Sequence, residues 1–161
     1  MPRPDSSGTP ATVALTAAGV PFTVHTYAHD PGVRSFGSEA ADVLGLPAEQ
    51  VFKTLVVDSG AGLAVMVVPV SGSLDLKAAA KALCVKRVAL ANPVAAQRSS
   101  GYVVGGISPI GQKRPLATVV DESALLFDTV YVSGGRRGLD VGLSPLDLIV
   151  VVSGIVADIA R

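Results

Sequence analysis

No uninterrupted apolar run in this chain is long enough to cross a bilayer. The longest, Leu63 to Val70 and Leu148 to Val152, fall far short of the ~20 residues a spanning helix needs. Such a chain must enclose its own core from many short segments. Its 161 residues suffice for one domain that does so without staples. Hydrophobic residues make up 49% of the chain, but aromatics only 4% and Trp is absent, so the core is built from Val, Ala and Leu. Met1-Pro2-Arg3-Pro4-Asp5 leads into no signal-peptide apolar segment, and the expectation is a cytoplasmic protein with no membrane partner.

The formal net charge is zero, whereas a protein that coats DNA presents a broad basic field, so DNA is not an expected partner. Lys77, Lys81, Lys86, Arg87, Arg98, Lys113, Arg114, Arg136 and Arg137 leave room for contact with a few phosphates. The single cysteine, Cys84, excludes an intrachain disulfide and any thiolate cluster. After Leu83 it reads as a small buried hydrophobe rather than a nucleophile.

Residues 1–8, rich in Pro, Ser and Gly, read as a disordered tail, and 9–161 as the domain. Three pairs, Thr9-Pro10, Asn92-Pro93 and Ser144-Pro145, each place a capping side chain before a proline that suits the first helical position. Asp147 adds a capping-box-like pattern to the last. Further helices are predicted near Ser38–Leu44 and Leu76–Leu83. Strands are predicted at Phe22–Thr26, Val51–Val57, Leu63–Val70, Ala117–Val120, Thr129–Val132 and Leu139–Leu143. The two types do not alternate strictly. The order therefore predicts an α/β single domain with a mixed, curved or barrel-like β-sheet and helices packed outside.

Three features could carry chemistry. From Gly101 to Gly111 an apolar run breaks into a glycine-rich loop fixed by Pro109, where Gly105 and Gly106 can turn bare N–H groups toward a phosphate or carbonyl oxygen. Lys53 shares a strand face with Val51, Leu55 and Val57, so its ammonium either snorkels to water or meets a negative ligand in a cleft. Thr54 lies on the opposite face. The segment Ser133 to Asp140 reads as a glycine-rich connection between strands. Its arginines either contact phosphate or pair with Asp140. His25 and His29 would stand ~13 Å apart in an extended chain, so no metal is expected. No nucleophile elbow and no paired carboxylates stand out.

Several segments together resemble one family. These are His25-Thr26-Tyr27, His29-Asp30-Pro31, Phe36-Gly37, Val51-Phe52-Lys53-Thr54-Leu55, Leu74-Asp75-Leu76-Lys77, Ala95 to Tyr102, Gly105 to Lys113, and Tyr131 to Gly135. From Thr9 onward the chain is similar to the YbaK and prolyl-tRNA-synthetase-associated editing-domain superfamily, in its branch of freestanding Cys-tRNA(Pro) deacylases. The resemblance implies hydrolysis in trans of the ester joining cysteine to the acceptor end of tRNA(Pro), beside prolyl-tRNA synthetase and without a cofactor. A pocket for proline gains only ~1–3 kcal/mol against a compact rival, so a second site is needed to discard the error. The resemblance assigns catalytic parts to Lys53, Thr54 and Gly105. It assigns substrate binding to Tyr27, Phe36, Gly106, Ile107, Ser108, Pro109, Ser133 and Asp140. It also implies that the cysteine thiol attacks its own carbonyl, so that no protein nucleophile is required. Two alternatives stay open on the sequence: a noncatalytic module that binds a tRNA end or the synthetase, and a deacylase for another small amino acid such as alanine.

Overall fold

The computed structural model describes residues 8–33 and 35–161; the tail expected over residues 1–8 lies, Gly8 apart, outside them. In chain order the elements are α1 (Pro10–Ala17), β1 (Thr23–Thr26), α2 (Phe36–Leu44), β2 (Phe52–Asp58), β3 (Leu63–Pro69), α3 (Leu76–Ala82) and β4 (Ala89–Leu90), followed by α4 (Pro93–Ser100), β5 (Ala117–Asp121), β6 (Val130–Arg136), β7 (Leu139–Leu143), α5 (Pro145–Val151) and β8 (Ile155–Ala157).

The Thr9-Pro10 start is a full capping box: the Thr9 hydroxyl accepts from the Thr12 N–H, and the Thr12 hydroxyl accepts from the Thr9 N–H at 3.1 Å. Thr9 Oγ1 also bonds the Gly134 carbonyl, tying α1 to β6. Asn92 caps α4 through the Val94 N–H at 2.8 Å. Ser144 departs from the prediction, for its side chain makes no cap bond. There the proline at the first helical position carries the start on its fixed φ, without a hydroxyl partner.

The sheet is mixed, but it does not close into a barrel. Five strands run in the order β4-β2-β3-β5-β8, with β3–β5 and β5–β8 parallel, and three antiparallel strands run β1-β7-β6. The two sheets are joined where Val51 bridges Tyr131, whose N–H donates to Gln50 O at 3.1 Å. Alternation along β2 and β3 then divides the core. Phe52, Val65 and Val67 face the small sheet's Val132 and Val141 together with Leu15 and Leu148. Leu55, Val57, Met66 and Val68 face Ala79 and Ala80 of α3. Burying a Val or Leu side chain is worth about 1.5–3 kcal/mol, so these two valine-rich layers hold β2 firmly between them.

Strands β4 and β8 escape sequence reading because two or three residues show no periodicity. Cys84 is exposed rather than buried, and its φ of 59° explains why. The helix ends at Leu83, and the left-handed residue that follows turns its side chain away from the core.

Candidate functional site

The site begins with an interruption in pairing along one edge of β2. On that edge β4 pairs only with Val57 and Asp58, and the bridge to β6 is made at Val51, just before the strand. Val70 N–H donates to Val51 O at 2.8 Å and Ala91 N–H donates to Val56 O at 2.9 Å. By the alternation of an antiparallel strand, Phe52 and Thr54 therefore turn their N–H and C=O groups toward the open edge. A cavity of about 350 Å³ occupies that gap. It lies at the small end of ligand pockets, a size that suits a small acyl group and a sugar.

Eight predicted residues line this cavity: Tyr27, Phe36, Lys53, Thr54, Gly105, Ile107, Ser133 and Asp140. Lys53 and Thr54 come from opposite faces of β2 and meet at its edge. Ser133 and Asp140 are directly paired across β6 and β7. Tyr27 follows β1, with its N–H held by Gly138 O at 2.9 Å. The other three predicted residues, Gly106, Ser108 and Pro109, are buried and do not line the cavity. The Gly106 N–H is taken by Val103 O at 2.8 Å, and a Cβ there would stand 2.7 Å from the Arg136 Cα. The Ser108 hydroxyl accepts from Ile110 N–H at 3.2 Å. These residues pin the loop from behind. Only Gly105 and Ile107 of the five predicted loop positions reach its front.

The cavity holds one lining lysine and one lining carboxyl among the described residues. Lys53 Nζ donates to the Gly72 carbonyl at 3.1 Å, and no carboxylate pairs with it among the described residues. The start of α2 supplies Ser35, Phe36, Gly37 and Ser38 to the wall, so the positive end of the helix lies at the cavity. The Gly105 N–H has no acceptor among the described residues. Thr54 Oγ1 is fully enclosed and has no partner among the described residues, an arrangement that costs about 1–3 kcal/mol. That carboxyl, Asp140, is 6% exposed, and burial pushes its pKa up to about 7. Burial first, then the nearby Asp140 and Glu39 charges, push Tyr27 up to about 12, so its hydroxyl keeps its proton.

Sequence reading missed the braces of this wall. Glu39 Oε1 meets His29 Nδ1 at 2.6 Å and Oε2 accepts from the Asp30 N–H at 2.8 Å. The backbone bond from Asp30, then the bond with His29, hold the Glu39 carboxyl below its usual range. His29 packs on Phe36 with ring centroids 5.3 Å apart. His25 is engaged elsewhere, with Thr23 Oγ1 at 2.8 Å and against Tyr131. The signal for Glu39 was faint, since nothing along the chain marks its partner ten residues earlier. Arg137 does not pair with Asp140. Its Nε donates to Val104 O at 2.9 Å, and its guanidinium lies 5.0 Å from the Phe36 centroid.

Comparison with known proteins adds a family. The family described as the aminoacyl-tRNA editing domain matches residues 30–150. EbsC of Enterococcus faecalis, named as a candidate Cys-tRNA(Pro)/Cys-tRNA(Cys) deacylase, is 35% identical over 141 residues, which cover 87% of this chain and 85% of that protein. The crystal structure of a hypothetical protein superimposes with a TM-score of 0.85 at 27% identity, over 94% of this chain and 99% of that one. The crystal structure of a candidate trans-editing enzyme for prolyl-tRNA synthetase gives a TM-score of 0.84 at 23% identity, over 100% of this chain and 99% of that one. That last likeness speaks for the fold.

Proposed function

The chain belongs to the aminoacyl-tRNA editing domain family, and from that premise we propose that it acts in trans to remove cysteine mischarged onto tRNA(Pro). As a family member it is an aminoacyl-tRNA deacylase, and aminoacyl-tRNA is its substrate. The observation that carries the finer reading is the shared cavity. Lys53, Thr54 and Gly105 line it together, and no lining serine or threonine is bonded to a histidine among the described residues. Such a site is short of a nucleophile and rich in groups that stabilise negative charge.

A cysteinyl ester brings its own nucleophile. Its sulfur attacks the carbonyl carbon, the C–S bond forms, the C–O bond to the ribose breaks, and the thiol proton ends on the ribose oxygen. The cyclic thiolactone released is then opened by water. The protein contributes orientation and an oxyanion site, with Gly105 N–H and the α2 amides facing the carbonyl oxygen and Lys53 balancing charge. Thr54 shapes the wall beside Lys53, while Ser133 and Asp140 orient the acyl group. Tyr27, Phe36 and Ile107 wall the pocket against water. Prolyl-tRNA synthetase is the expected source of the mischarged tRNA, and the expected compartment is the cytoplasm. No helix among the described residues is long and apolar enough to cross a membrane.

Lys53 tests the reading. Lys53→Ala should unfold at nearly the wild-type temperature, because the side chain makes one bond to a half-exposed turn. Its deacylation of Cys-tRNA(Pro) should fall by about a hundredfold or more, the scale of losing one oxyanion-type group. The assay is release of labelled amino acid from Cys-, Ala- and Pro-charged tRNA(Pro) and from Cys-tRNA(Cys). Wild-type turnover by the variant would remove Lys53 from the mechanism, and faster release of alanine than of cysteine would reassign the substrate.

A further inference from the structure

Arg137 is organised far beyond what a solvated turn residue needs. It stands at the exposed tip between β6 and β7, where mobile side chains are the rule, yet its guanidinium is held on two sides. One is the Nε bond to Val104 O at 2.9 Å, and the other is the face of Phe36 at 5.0 Å. The glycine at position 105 makes room for both. A Cβ there would stand 2.8 Å from the Phe36 ring and 2.9 Å from Arg137 Nε. Phe36 and Gly105 both line the cavity, so the guanidinium they flank lies next to it, just outside the lining itself. With Nε bonded inward, the two terminal nitrogens are left for outside ligands, and neither has an acceptor among the described residues. A planar fork fixed by stacking and by its inner nitrogen is prepared for the paired oxygens of a phosphate.

We propose that Arg137 is a specificity residue that grips the 5′-phosphate of the terminal nucleotide while the aminoacyl ester occupies the cavity. The inference rests on the editing reading and deepens it, for it names the part of the substrate that separates a tRNA end from any other small ester. An ester placed against Gly105 puts its ribose toward the mouth, and the first phosphate beyond that ribose meets the rim. The grip explains how a chain of zero net charge selects a nucleic-acid end: one ordered cation at the correct distance replaces a basic field.

The test uses two synthetic esters, cysteinyl adenosine and the same ester bearing a 5′-methylphosphate diester, with spontaneous loss subtracted. The wild-type protein should prefer the phosphate-bearing ester in kcat/KM, chiefly through KM. Arg137→Ala should shrink that preference by about tenfold or more, the scale of a charge-assisted pair. Arg137→Lys, which keeps the charge but loses the stacked fork, should fall between. Should Arg137→Ala fail to fold, as judged by thermal unfolding, Arg137→Lys and Arg137→Gln carry the comparison. Equal losses on both esters would make Arg137 only a support for Phe36 and overturn the proposal. The absence of any wild-type preference would also overturn it. If the wild type cleaved neither ester nor Cys-tRNA(Pro), the editing reading itself would fail.

Discussion

Replacing Asp140 by Asn should make the protein more stable at pH 8 and leave it little changed at pH 4. The carboxyl is 6% exposed, and burial lifts its pKa from 3.8 to about 7. Between those values the folded chain holds a proton that the unfolded chain has released, so stability falls as pH rises and levels off above about 7. The rise from 3.8 to about 7, at about 1.4 kcal/mol for each tenfold change in proton affinity, makes the full cost about 4 kcal/mol. Asn has nearly the same shape and no charge to desolvate, so the variant avoids that cost. Urea unfolding of both proteins at pH 4, 5, 6, 7 and 8 gives the difference directly, because Tyr27, whose pKa the Asp140 charge raises, keeps its proton throughout this range. The difference should climb by about 1.4 kcal/mol per pH unit from about pH 4 to pH 7, in favour of Asn, and then flatten. Parallel stability curves would refute the reasoning and mean that Asp140 is ionised as easily in the folded chain as in the unfolded one.

Two further outcomes follow from the same geometry. Gly105→Ala should destabilise the chain by about 1–2 kcal/mol for a side chain at φ 89°, and more if Phe36 and Arg137 cannot retreat. Its deacylation should fall further than its chemical stability, and full activity would show that the loop does not meet the substrate. Asp121→Ala should destabilise by about 2–4 kcal/mol, because one buried carboxylate accepts the Ile159 and Ala160 amides at 2.9 and 3.0 Å and also bonds Ser123. Asp121 lies outside the cavity lining, so chemical denaturation should report that loss while KM for aminoacyl-tRNA stays near wild type.

The chain's local order was legible wherever a rule acts over a few residues. Thr9-Pro10 and Asn92-Pro93 start helices, Val51–Val57 and Leu63–Val70 form a hairpin, and the alternation that sets Lys53 beside Leu55 and opposite Thr54 holds in the core. The motif segments were legible too, which is why the family could be read before any coordinate. What alternation cannot show is where a strand loses its neighbour. The gap between β4 and β6 that lets two opposite faces of β2 open into one cavity depends on strands far apart in sequence. The same holds for Glu39 on His29, for Arg137 on Phe36 rather than Asp140, and for the glycine loop, where a turn bond spends the Gly106 amide and leaves that of Gly105. Sequence by itself determined which elements form and which residue types they carry, because caps, turns and periodicity are local energies. The tertiary structure alone decided which polar groups stay unpaired and face one another, because pairing is settled by whatever the fold brings within about 3 Å.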